Sequence, residues 1–500
     1  MRGFFLPLPR RLAAAFALGG LTVLGFAPFD LFFLPLFTLA VLFHLWQQAG
    51  SRRSAAAIGF AFGAGFFLLG VSWVYVSLHD FGGMPAPLAA FSTLLFCLFL
   101  ALFPAAVGAL AMARTPTRSL LCLLPAAWAA AEWVRGFVFT GFPWLAMGYA
   151  AVPASPLMGY APILGVYGVS LLMALSAGLL VLVWYFRCDA RRGMGAVAAL
   201  VALWAGGALL ERVEWTHPVG EAVSVSLLQG NIPQDIKWRE ERVAPTLATY
   251  ARLVEESHSR LILLPETAFP LFLDQLPPAY LERLAAHARR FEGDVVFGVP
   301  ERSADGSRYY NSVVSVGVSG PQAYRKVHLV PFGEFVPLRP LFGWLLDFLH
   351  IPLGDFTPGS PGQPPLAVAG QRLAANICYE DVFGEELLAA ASQATLLANV
   401  SNDAWFGDSI APRQHLQIAQ MRAAELRRMM LRATNTGITA LIDARGRVIA
   451  RLDPFRTGAL HVTAQGRVGE TPYMRLGNGA AVGLMLLLFV LAVLPSRRLD

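Results

Sequence analysis

The chain has 500 residues, of which 56% are hydrophobic and 14% are charged, and its mean hydropathy is +0.53. This composition excludes an ordinary soluble protein and predicts several membrane spans, each of which needs about 20 apolar residues. The formal net charge of +6 would also suit a nucleic-acid-binding protein. The arginines, however, concentrate in alternate short loops and at the chain ends. That distribution is typical of cytoplasmic loops in membrane proteins, so it accounts for the basic excess without nucleic acid.

Apolar runs along the chain predict eight membrane spans. The runs cover residues 12–27, 31–47, 55–78, 86–112, 118–134, 163–186, 194–211 and 478–495. The first run is interpreted as a retained helix, because no small-residue cleavage site is followed by a polar mature chain. The arginine distribution predicts that both termini are cytoplasmic. The predicted organisation is therefore transmembrane helices over 1–211, an extracytoplasmic domain over 212–475, and a last helix with a tail over 476–500.

The region between the seventh and eighth predicted spans is polar enough to be a soluble domain. Alternating and short apolar runs predict strands at 222–229, 261–265, 295–299, 312–318, 372–378, 395–400, 438–442 and 459–462. The clearest predicted helix covers 413–433, where apolar residues recur at helical spacing. Strands that alternate with helices are typical of a layered α/β domain.

One insertion in this domain, residues 338–352, concentrates large apolar side chains. It contains Leu341, Phe342, Trp344, Leu345, Leu346, Phe348, Leu349 and Ile351. Two interpretations stay open. The segment is either a short buried helix of the domain core or an amphipathic arm that dips into the bilayer beside the site, where Trp and Phe suit the headgroup level.

Cys378 is the only cysteine outside the strongly apolar segments, because Cys97, Cys122 and Cys188 lie in or beside predicted spans. It ends the predicted strand 372–378 and has no disulfide partner in its own domain. Such a thiol is either an inert core residue or a nucleophile. The sequence around Cys378 does not decide between an inert thiol and a nucleophile. The decision therefore depends on the motifs elsewhere in the domain.

Glu266 directly follows the predicted strand 261–265, and the motif with Lys326 follows the predicted strand 312–318 along the chain. A carboxylate, an ammonium and a thiol at strand ends can converge at one rim of an α/β sheet. Glu266 can take the thiol proton, Cys378 can attack a carbonyl and hold the acyl group, and Lys326 can lower the pKa of the thiol and stabilise an oxyanion. Taken singly, a residue such as Glu266 is more often a solvated loop acid, and a residue such as Lys326 is usually a surface charge. Only two of the 39 basic residues are lysines, Lys237 and Lys326, which favours a specific use.

In this order the three residues resemble the Glu–Lys–Cys triad of the nitrilase superfamily. With the predicted spans, the whole chain resembles the bacterial apolipoprotein N-acyltransferase family. The matching pieces are residues 141–144, 229–234 with Trp238, 265–268, 328–334, 378–380 and 401–406. The resemblance implies an α-β-β-α sandwich in which Glu266 is the base, Lys326 the transition-state stabiliser and Cys378 the nucleophile. Further positions that it implies for catalysis or substrate placement are Trp238, Asn311, Glu334, Tyr379 and Glu380.

The resemblance also implies a two-step reaction without a cofactor. A phospholipid, typically phosphatidylethanolamine, gives an acyl chain to the thiol of Cys378, and the thioester passes it to the N-terminal amine of diacylglyceryl-cysteine in an apolipoprotein. The expected setting is the bacterial inner membrane, with a monomeric chain, cytoplasmic termini and a periplasmic active site. Lipid-anchored substrates explain why spans accompany the domain, and a dry site protects a thioester.

Two other functions fit parts of the sequence. A membrane-tethered nitrilase-like amidase for a small carbon–nitrogen substrate would share the triad but would have no use for eight spans. A transporter or scaffold with a decayed domain would lack the intact triad, and the predicted spans hold few charges beyond Glu132 and Arg135. The nine histidines show no metal-ligand spacing. His287, His328 and His415 are interpreted as ordinary hydrogen-bonding residues.

Overall fold

The structure is a computed structural model that describes residues 7–112, 114–336 and 355–494. The chain forms two compact units. The first unit comprises Met1–Val74, Ala90–Val213 and Leu476–Asp500, and the second comprises Tyr75–Ala89 and Glu214–Arg475. The segment Tyr75–Ala89, which the sequence analysis assigns to the helical region, groups with the second unit. The predicted arm over 338–352 lies outside the described residues.

The first unit is built from apolar helices. Four helices are long and apolar enough to cross a membrane, namely Arg52–Gly70, Ala86–Leu110, Pro156–Tyr185 and Ala190–Leu210. The other predicted spans correspond to shorter helices, which are Leu8–Thr22, Leu34–Gln47, Leu124–Arg135 and Gly479–Val493. The prediction of several apolar helices is confirmed, whereas the number of spans stays a prediction.

Small residues determine how closely two of these helices approach. A Cβ atom added at Gly19 would lie 2.0 Å from the Phe62 carbonyl oxygen, and one added at Gly65 would lie 2.0 Å from the Phe16 carbonyl oxygen. The helices Leu8–Thr22 and Arg52–Gly70 therefore pack backbone against backbone, which a larger residue at either glycine would prevent. Close packing of this kind is how helices associate in lipid, where hydrophobic burial gives no driving force.

The second unit contains two six-stranded sheets with the strand orders β13-β2-β3-β4-β5-β6 and β12-β11-β10-β9-β8-β7. A separate two-stranded pair joins β1 and β14. The strands are β1 His217–Pro218, β2 Val223–Gln229, β3 Leu261–Leu263, β4 Asp294–Arg302, β5 Tyr309–Gly317, β6 Gln322–Arg325, β7 Leu366–Val368, β8 Gln371–Ile377, β9 Leu396–Ser401, β10 Met430–Thr434, β11 Ala440–Ile442, β12 Val448–Arg451, β13 Gly458–Ala464 and β14 Arg467–Val468. All eight predicted strands overlap observed ones.

The two large sheets pack face to face through alternate apolar residues. Val225 and Leu227 of one sheet and Leu373 and Ile377 of the other belong to the same fully buried cluster. Because successive side chains of a strand point to opposite faces, the intervening residues meet the outer helices. The helices Glu240–Glu255 and Pro278–Arg290 cover one outer face, and Leu388–Gln393 and Ala411–Leu426 cover the other. The predicted α-β-β-α architecture is confirmed.

The predicted helix over 413–433 is wrong beyond Leu426. The helix Ala411–Leu426 ends where Arg427 takes a left-handed conformation with φ of 48°, and the chain then enters β10. Every residue of β10 is buried, including Arg432. A short, fully buried strand has no alternation of polar and apolar residues, so periodicity alone cannot separate it from a helix that precedes it.

Parallel pairing places the chemistry-bearing residues at one edge. Strands β2, β3 and β4 are parallel neighbours in the first sheet, and β8, β9 and β10 are parallel neighbours in the second. The carboxyl ends of parallel strands share an edge. Glu266 follows β3, Cys378 follows β8 and Asn402 follows β9, so the topology brings these three positions together.

Candidate active site

Cys378 is the first residue after β8 and begins a 3-10 turn, Cys378–Val382. Its φ is 54°, a left-handed conformation that costs a residue with a Cβ roughly 1–2 kcal/mol. Two hydrogen bonds to the Cys378 carbonyl oxygen stabilise this conformation, one from Asn399 Nδ2 at 3.2 Å and one from the His415 ring at 3.2 Å. By surface area the residue is half-buried. The bend thus places the thiol at the end of β8, where Cys378 packs partly buried against the cluster between the two sheets.

Glu266 and Lys326 form the centre of a buried polar network. The Lys326 ammonium is fully buried and lies 3.7 Å from Glu266 Oε1 and 2.8 Å from Glu334 Oε2. The Asn311 amide donates to both carboxylates, at 2.8 Å to Glu266 Oε1 and 2.8 Å to Glu334 Oε1. The other oxygen of Glu266 accepts the backbone N–H of Asn402 at 2.8 Å. Glu266 is therefore a carboxylate in a fixed orientation, with donors on both oxygens.

The charges at the site act on one another across short distances. Burial lowers the pKa of Lys326, but the carboxylates of Glu334 and Glu266 outweigh it and raise that pKa above its ordinary value. Burial raises the pKa of the Cys378 thiol well above its ordinary value, Glu266 raises it further, and Lys326 lowers it. Lys326 does act on the thiol in the expected direction. Burial and Glu266 outweigh this effect, so the pKa of the thiol lies above its ordinary value and the resting sulfur carries a proton.

Glu380 connects the segment after Lys326 with the residue before Cys378. Its Oε1 accepts the backbone N–H groups of Val327 at 2.6 Å and His328 at 3.1 Å, and its Oε2 accepts the N–H of Ile377 at 2.7 Å. The Tyr324 hydroxyl donates to both oxygens. The carboxylate therefore fixes the distance between the ammonium-bearing loop and the thiol-bearing loop.

The protonation of Glu380 gives a prediction on stability. Burial raises the pKa of Glu380 to about 7, against the lowering effect of Lys326 and of the N–H donors. A folded-state pKa raised from 4.5 means that the stabilising contribution is complete below pH 4.5 and is lost as the pH rises through about 7. We expect the melting temperature of the wild type, relative to Glu380→Gln, to fall between pH 4.5 and 7. The surface variant Glu256→Gln is the control, and a difference independent of pH would contradict the assignment.

The remaining two predicted positions are less closely tied to the network. Tyr379 is buried, and its ring packs edge-on against Phe383 with centroids 5.3 Å apart. Trp238 is half-buried in the loop after β2. The structure brings the Trp238 indole into no hydrogen bond or ring contact with another described residue. Of the five supporting positions, Asn311, Glu334 and Glu380 thus contact the central residues or their loops, whereas Trp238 and Tyr379 are candidates for contact with substrate only.

Lys237 is a second lysine near the base that the sequence analysis did not place at the site. Its side chain is 1% exposed, and it has no hydrogen bond or ion pair within the described residues. Burial lowers the pKa of Lys237 to about 8, although the nearby Glu266 carboxylate raises it. The scarcity of lysine in the sequence was the one signal that could have singled out Lys237. The buried charge itself follows from tertiary packing and leaves no trace in the local pattern.

The arrangement suits acyl transfer through a thiol. A carboxylate with fixed orientation, a buried ammonium and a protonated thiol supply a base, a cation for an oxyanion, and a nucleophile. Within the ranges that the structure covers, no group of three or more His, Cys, Asp or Glu side chains suits a metal ion. The same three groups would serve hydrolysis of an amide or transfer of an acyl chain, so geometry alone leaves the substrate open.

Comparison with known proteins narrows the choice between hydrolysis of an amide and transfer of an acyl chain. The profile described as Apolipoprotein N-acyltransferase N-terminal domain matches residues 18–179, and the profile described as Carbon-nitrogen hydrolase matches residues 224–473. The apolipoprotein N-acyltransferase of Nitrosomonas europaea is 54% identical over 100% of this chain and 99% of its own length. That of Chromobacterium violaceum is 47% identical over 96% of this chain and 93% of its own length. The solved NitFhit protein of C. elegans overlaps 54% of this chain and 63% of its own at a TM-score of 0.38 and 15% identity, which is too low for a conclusion.

Proposed function

Because this chain belongs to the apolipoprotein N-acyltransferase family, whose members catalyse the last step of lipoprotein maturation, we propose that it transfers an acyl chain through Cys378. The donor is a membrane phospholipid such as phosphatidylethanolamine. The acceptor is the N-terminal amine of diacylglyceryl-cysteine in an apolipoprotein. The observation that carries the proposal is the buried contact of Glu266 with Lys326, whose charges both act on the Cys378 thiol.

The first half-reaction forms a thioester. Glu266 takes the proton of the Cys378 thiol while the sulfur attacks the ester carbonyl of the phospholipid, which forms the carbon–sulfur bond. The negative charge that develops on the carbonyl oxygen is stabilised by the Lys326 ammonium. The tetrahedral intermediate collapses by breaking the carbon–oxygen bond, and the leaving oxygen of the lysophospholipid takes the proton from Glu266. The enzyme is left with an acylated Cys378 and an ionised Glu266.

The second half-reaction uses the same groups. The neutral amine of diacylglyceryl-cysteine attacks the thioester carbonyl, and Glu266 accepts the amine proton. The intermediate collapses by breaking the carbon–sulfur bond, and Glu266 returns the proton to the sulfur. Each half-reaction thus moves one proton through Glu266. Because the acyl chain resides on Cys378 between the two half-reactions, the donor and the acceptor bind in turn. The order of events is ping-pong.

The setting follows from the substrates. Both the phospholipid and the diacylated protein are anchored in lipid, so apolar helices keep the enzyme in the layer that holds its substrates. The concentration of arginines in alternate short loops supports cytoplasmic termini and an active site on the periplasmic side of the inner membrane.

Lys237 balances the charge of the site in this scheme. Glu266 and Glu334 with Lys326 alone leave one negative charge in a buried site, and a thiolate is harder to form there. We expect Lys237→Met to slow acylation of Cys378 about 10- to 100-fold, as single-turnover mass spectrometry would measure. Lys237 makes no hydrogen bond or ion pair within the described residues, and burial disfavours its charged form, so the same variant should be at least as stable as the wild type. Loss of stability at an unchanged acylation rate would assign Lys237 a structural role instead.

One experiment separates the proposed reaction from the amidase alternative. The purified full-length chain in detergent is given phosphatidylethanolamine and a diacylated lipopeptide with a free N-terminus, and separately a small amide such as acetamide. The expected products are triacylated lipopeptide and lysophospholipid, without ammonia from the amide. Release of ammonia with no lipopeptide product would favour the amidase and overturn the proposal.

A further inference from the structure

Four charged side chains form a buried charge cluster next to the bend at Cys378. They are Asp381 in the turn after β8, Asp403 in the turn after β9, His415 on the helix Ala411–Leu426 and Arg432 on β10. Each is at most 1% exposed. The proposed half-reactions give none of them a role, although one of them contacts the nucleophile's own backbone.

The two ring nitrogens of His415 face two carboxylates and one backbone carbonyl oxygen. Its Nδ1 lies 2.9 Å from Asp403 Oδ1, and its Nε2 lies 3.0 Å from Asp381 Oδ1 and 3.2 Å from the Cys378 carbonyl oxygen. A neutral imidazole has one N–H group and one lone pair. One ring nitrogen of a neutral His415 would therefore turn a lone pair toward a carboxylate. Donation from both ring nitrogens satisfies all three contacts, and a His415 that donates twice is an imidazolium.

The charge balance of the cluster also favours a charged His415. Arg432 lies 3.0 Å from Asp403 Oδ2 and 3.5 Å from Asp381 Oδ2. Asp403 also accepts the Ser401 hydroxyl at 2.6 Å, so donors surround its carboxylate. Two buried carboxylates with one guanidinium would leave an uncompensated negative charge, which costs several kcal/mol. The positive charge of His415 makes the cluster neutral.

The groups that face His415 set the pH range in which it stays charged. Burial and Arg432 lower the pKa of His415, whereas Asp381 and Asp403 outweigh them and raise it to about 9. The Phe406 ring lies edge-on at 6.5 Å and carries no charge. The stabilising contribution of the imidazolium is therefore complete below pH 6.5 and is lost as the pH rises through about 9.

The cluster reaches the nucleophile through two donors. His415 and Asn399 both donate to the Cys378 carbonyl oxygen, and the side-chain oxygen of Asn399 in turn accepts from Arg432. Cys378 has the left-handed conformation, which persists only where surrounding contacts over-determine it. The two donors meet that requirement, because each is itself held by a member of the cluster.

We propose that His415, as an imidazolium, is a positioning residue that fixes the Cys378 backbone and so keeps the sulfur aligned with Glu266 and Lys326. This gives His415 more than the ordinary hydrogen bonding expected from the sequence. The inference rests on the proposed function only in its kinetic test, which measures the rate of Cys378 acylation. The contacts of His415 are present in the enzyme without substrate.

The charge state is tested on the wild-type chain. We expect the ring nitrogens of His415, observed by NMR of histidine-labelled full-length protein in detergent, to show the shifts of an imidazolium at pH 7 and to titrate only near pH 9. Comparison with His415→Gln assigns the signal. If that variant does not fold, the assignment comes from Phe406→Leu, which alters the ring environment of His415. A His415 signal that is neutral at pH 7 would overturn the inference.

The positioning role is tested by kinetics with a matched control. His287 is also a buried histidine of this domain that contacts a backbone carbonyl, that of Ser257 at 2.7 Å, but it is outside the cluster. We expect His415→Gln to slow acylation of Cys378 about 100-fold with the KM for phospholipid within twofold of the wild type. His287→Gln should leave both unchanged. His415→Gln combined with Asp381→Asn restores the charge balance and should recover part of the rate.

A lipid-independent reaction separates this inference from the proposed function. Alkylation of Cys378 by iodoacetamide needs no phospholipid, and we expect its pH profile to shift in His415→Gln but not in His287→Gln. If the shift occurs while the wild type transfers no acyl chain, the proposed function fails and the positioning role stands. If His415→Gln behaves as His287→Gln does in both reactions, the positioning role is overturned whatever the overall activity.

Discussion

Replacement of Cys378 by alanine is expected to abolish acyl transfer, with a loss of at least about 10⁴-fold. The thiol is the only group in the proposed scheme that bonds to the acyl chain, and neither Glu266 nor Lys326 can take its place. Transfer of the acyl chain to a diacylated lipopeptide by purified protein measures the loss. Because the side chain is half-buried and small, the variant should keep the melting temperature of the wild type within a few degrees.

Cys188 offers the matched control for this substitution. It is an exposed cysteine in the first unit, so Cys188→Ala removes a thiol without touching the site. We expect full activity from Cys188→Ala and an inactive but folded Cys378→Ala. A Cys378→Ala variant that still transfers acyl chains would rule out the thioester route.

Glu266→Gln is expected to have the second-largest effect, a fall in the acylation rate of about 10²- to 10⁴-fold. The amide keeps the shape of the side chain but cannot accept the thiol proton, and burial already holds the pKa of the thiol high. The substitution also turns an NH2 group toward the Asn402 N–H or the Asn311 amide, because donors approach both oxygens of Glu266. A moderate loss of stability should therefore accompany the loss of rate.

A half-buried carboxylate outside the site, Glu301, separates these two effects. Glu301 pairs with Arg325 at 2.6 Å and accepts the Ser312 hydroxyl at 2.8 Å, but it does not contact Lys326. We expect Glu301→Gln to lose stability to a similar degree while its acylation rate stays within about twofold of the wild type. If the two variants lost the same activity for the same loss of stability, Glu266 would not be the base.

The placement of the central residues could be predicted because strand ends are readable from the sequence. Glu266 follows the predicted strand 261–265 and Cys378 ends the predicted strand 372–378, and the carboxyl ends of parallel strands meet at one edge. The strand before Lys326, β6, is not among the predicted strands and pairs antiparallel with β5. The contact of Glu266 with Lys326 at 3.7 Å agrees with that reasoning. The pKa of the Cys378 thiol could not be predicted, because it depends on the balance between burial, the negative charge of Glu266 and the positive charge of Lys326.

The buried polar residues could not be predicted, since their partners lie far away in the chain. Arg432 sits in a strand that the sequence pattern merges with the preceding helix, and its role as a charge partner depends on Asp381 and Asp403 from two other strand ends. Lys237 similarly appears as a loop charge until folding removes it from water. Local periodicity reports which face of an element is apolar, but it does not report which buried charges compensate one another.

The central claim, that Cys378 carries the acyl chain, is tested most directly by intact-mass spectrometry. The full-length wild type is incubated with phosphatidylethanolamine and no acceptor, and then with a diacylated lipopeptide. We predict a mass increase of one acyl chain on Cys378 that hydroxylamine removes and that disappears when the lipopeptide is added. Transfer to the lipopeptide without any adduct on Cys378 at any time would contradict the account.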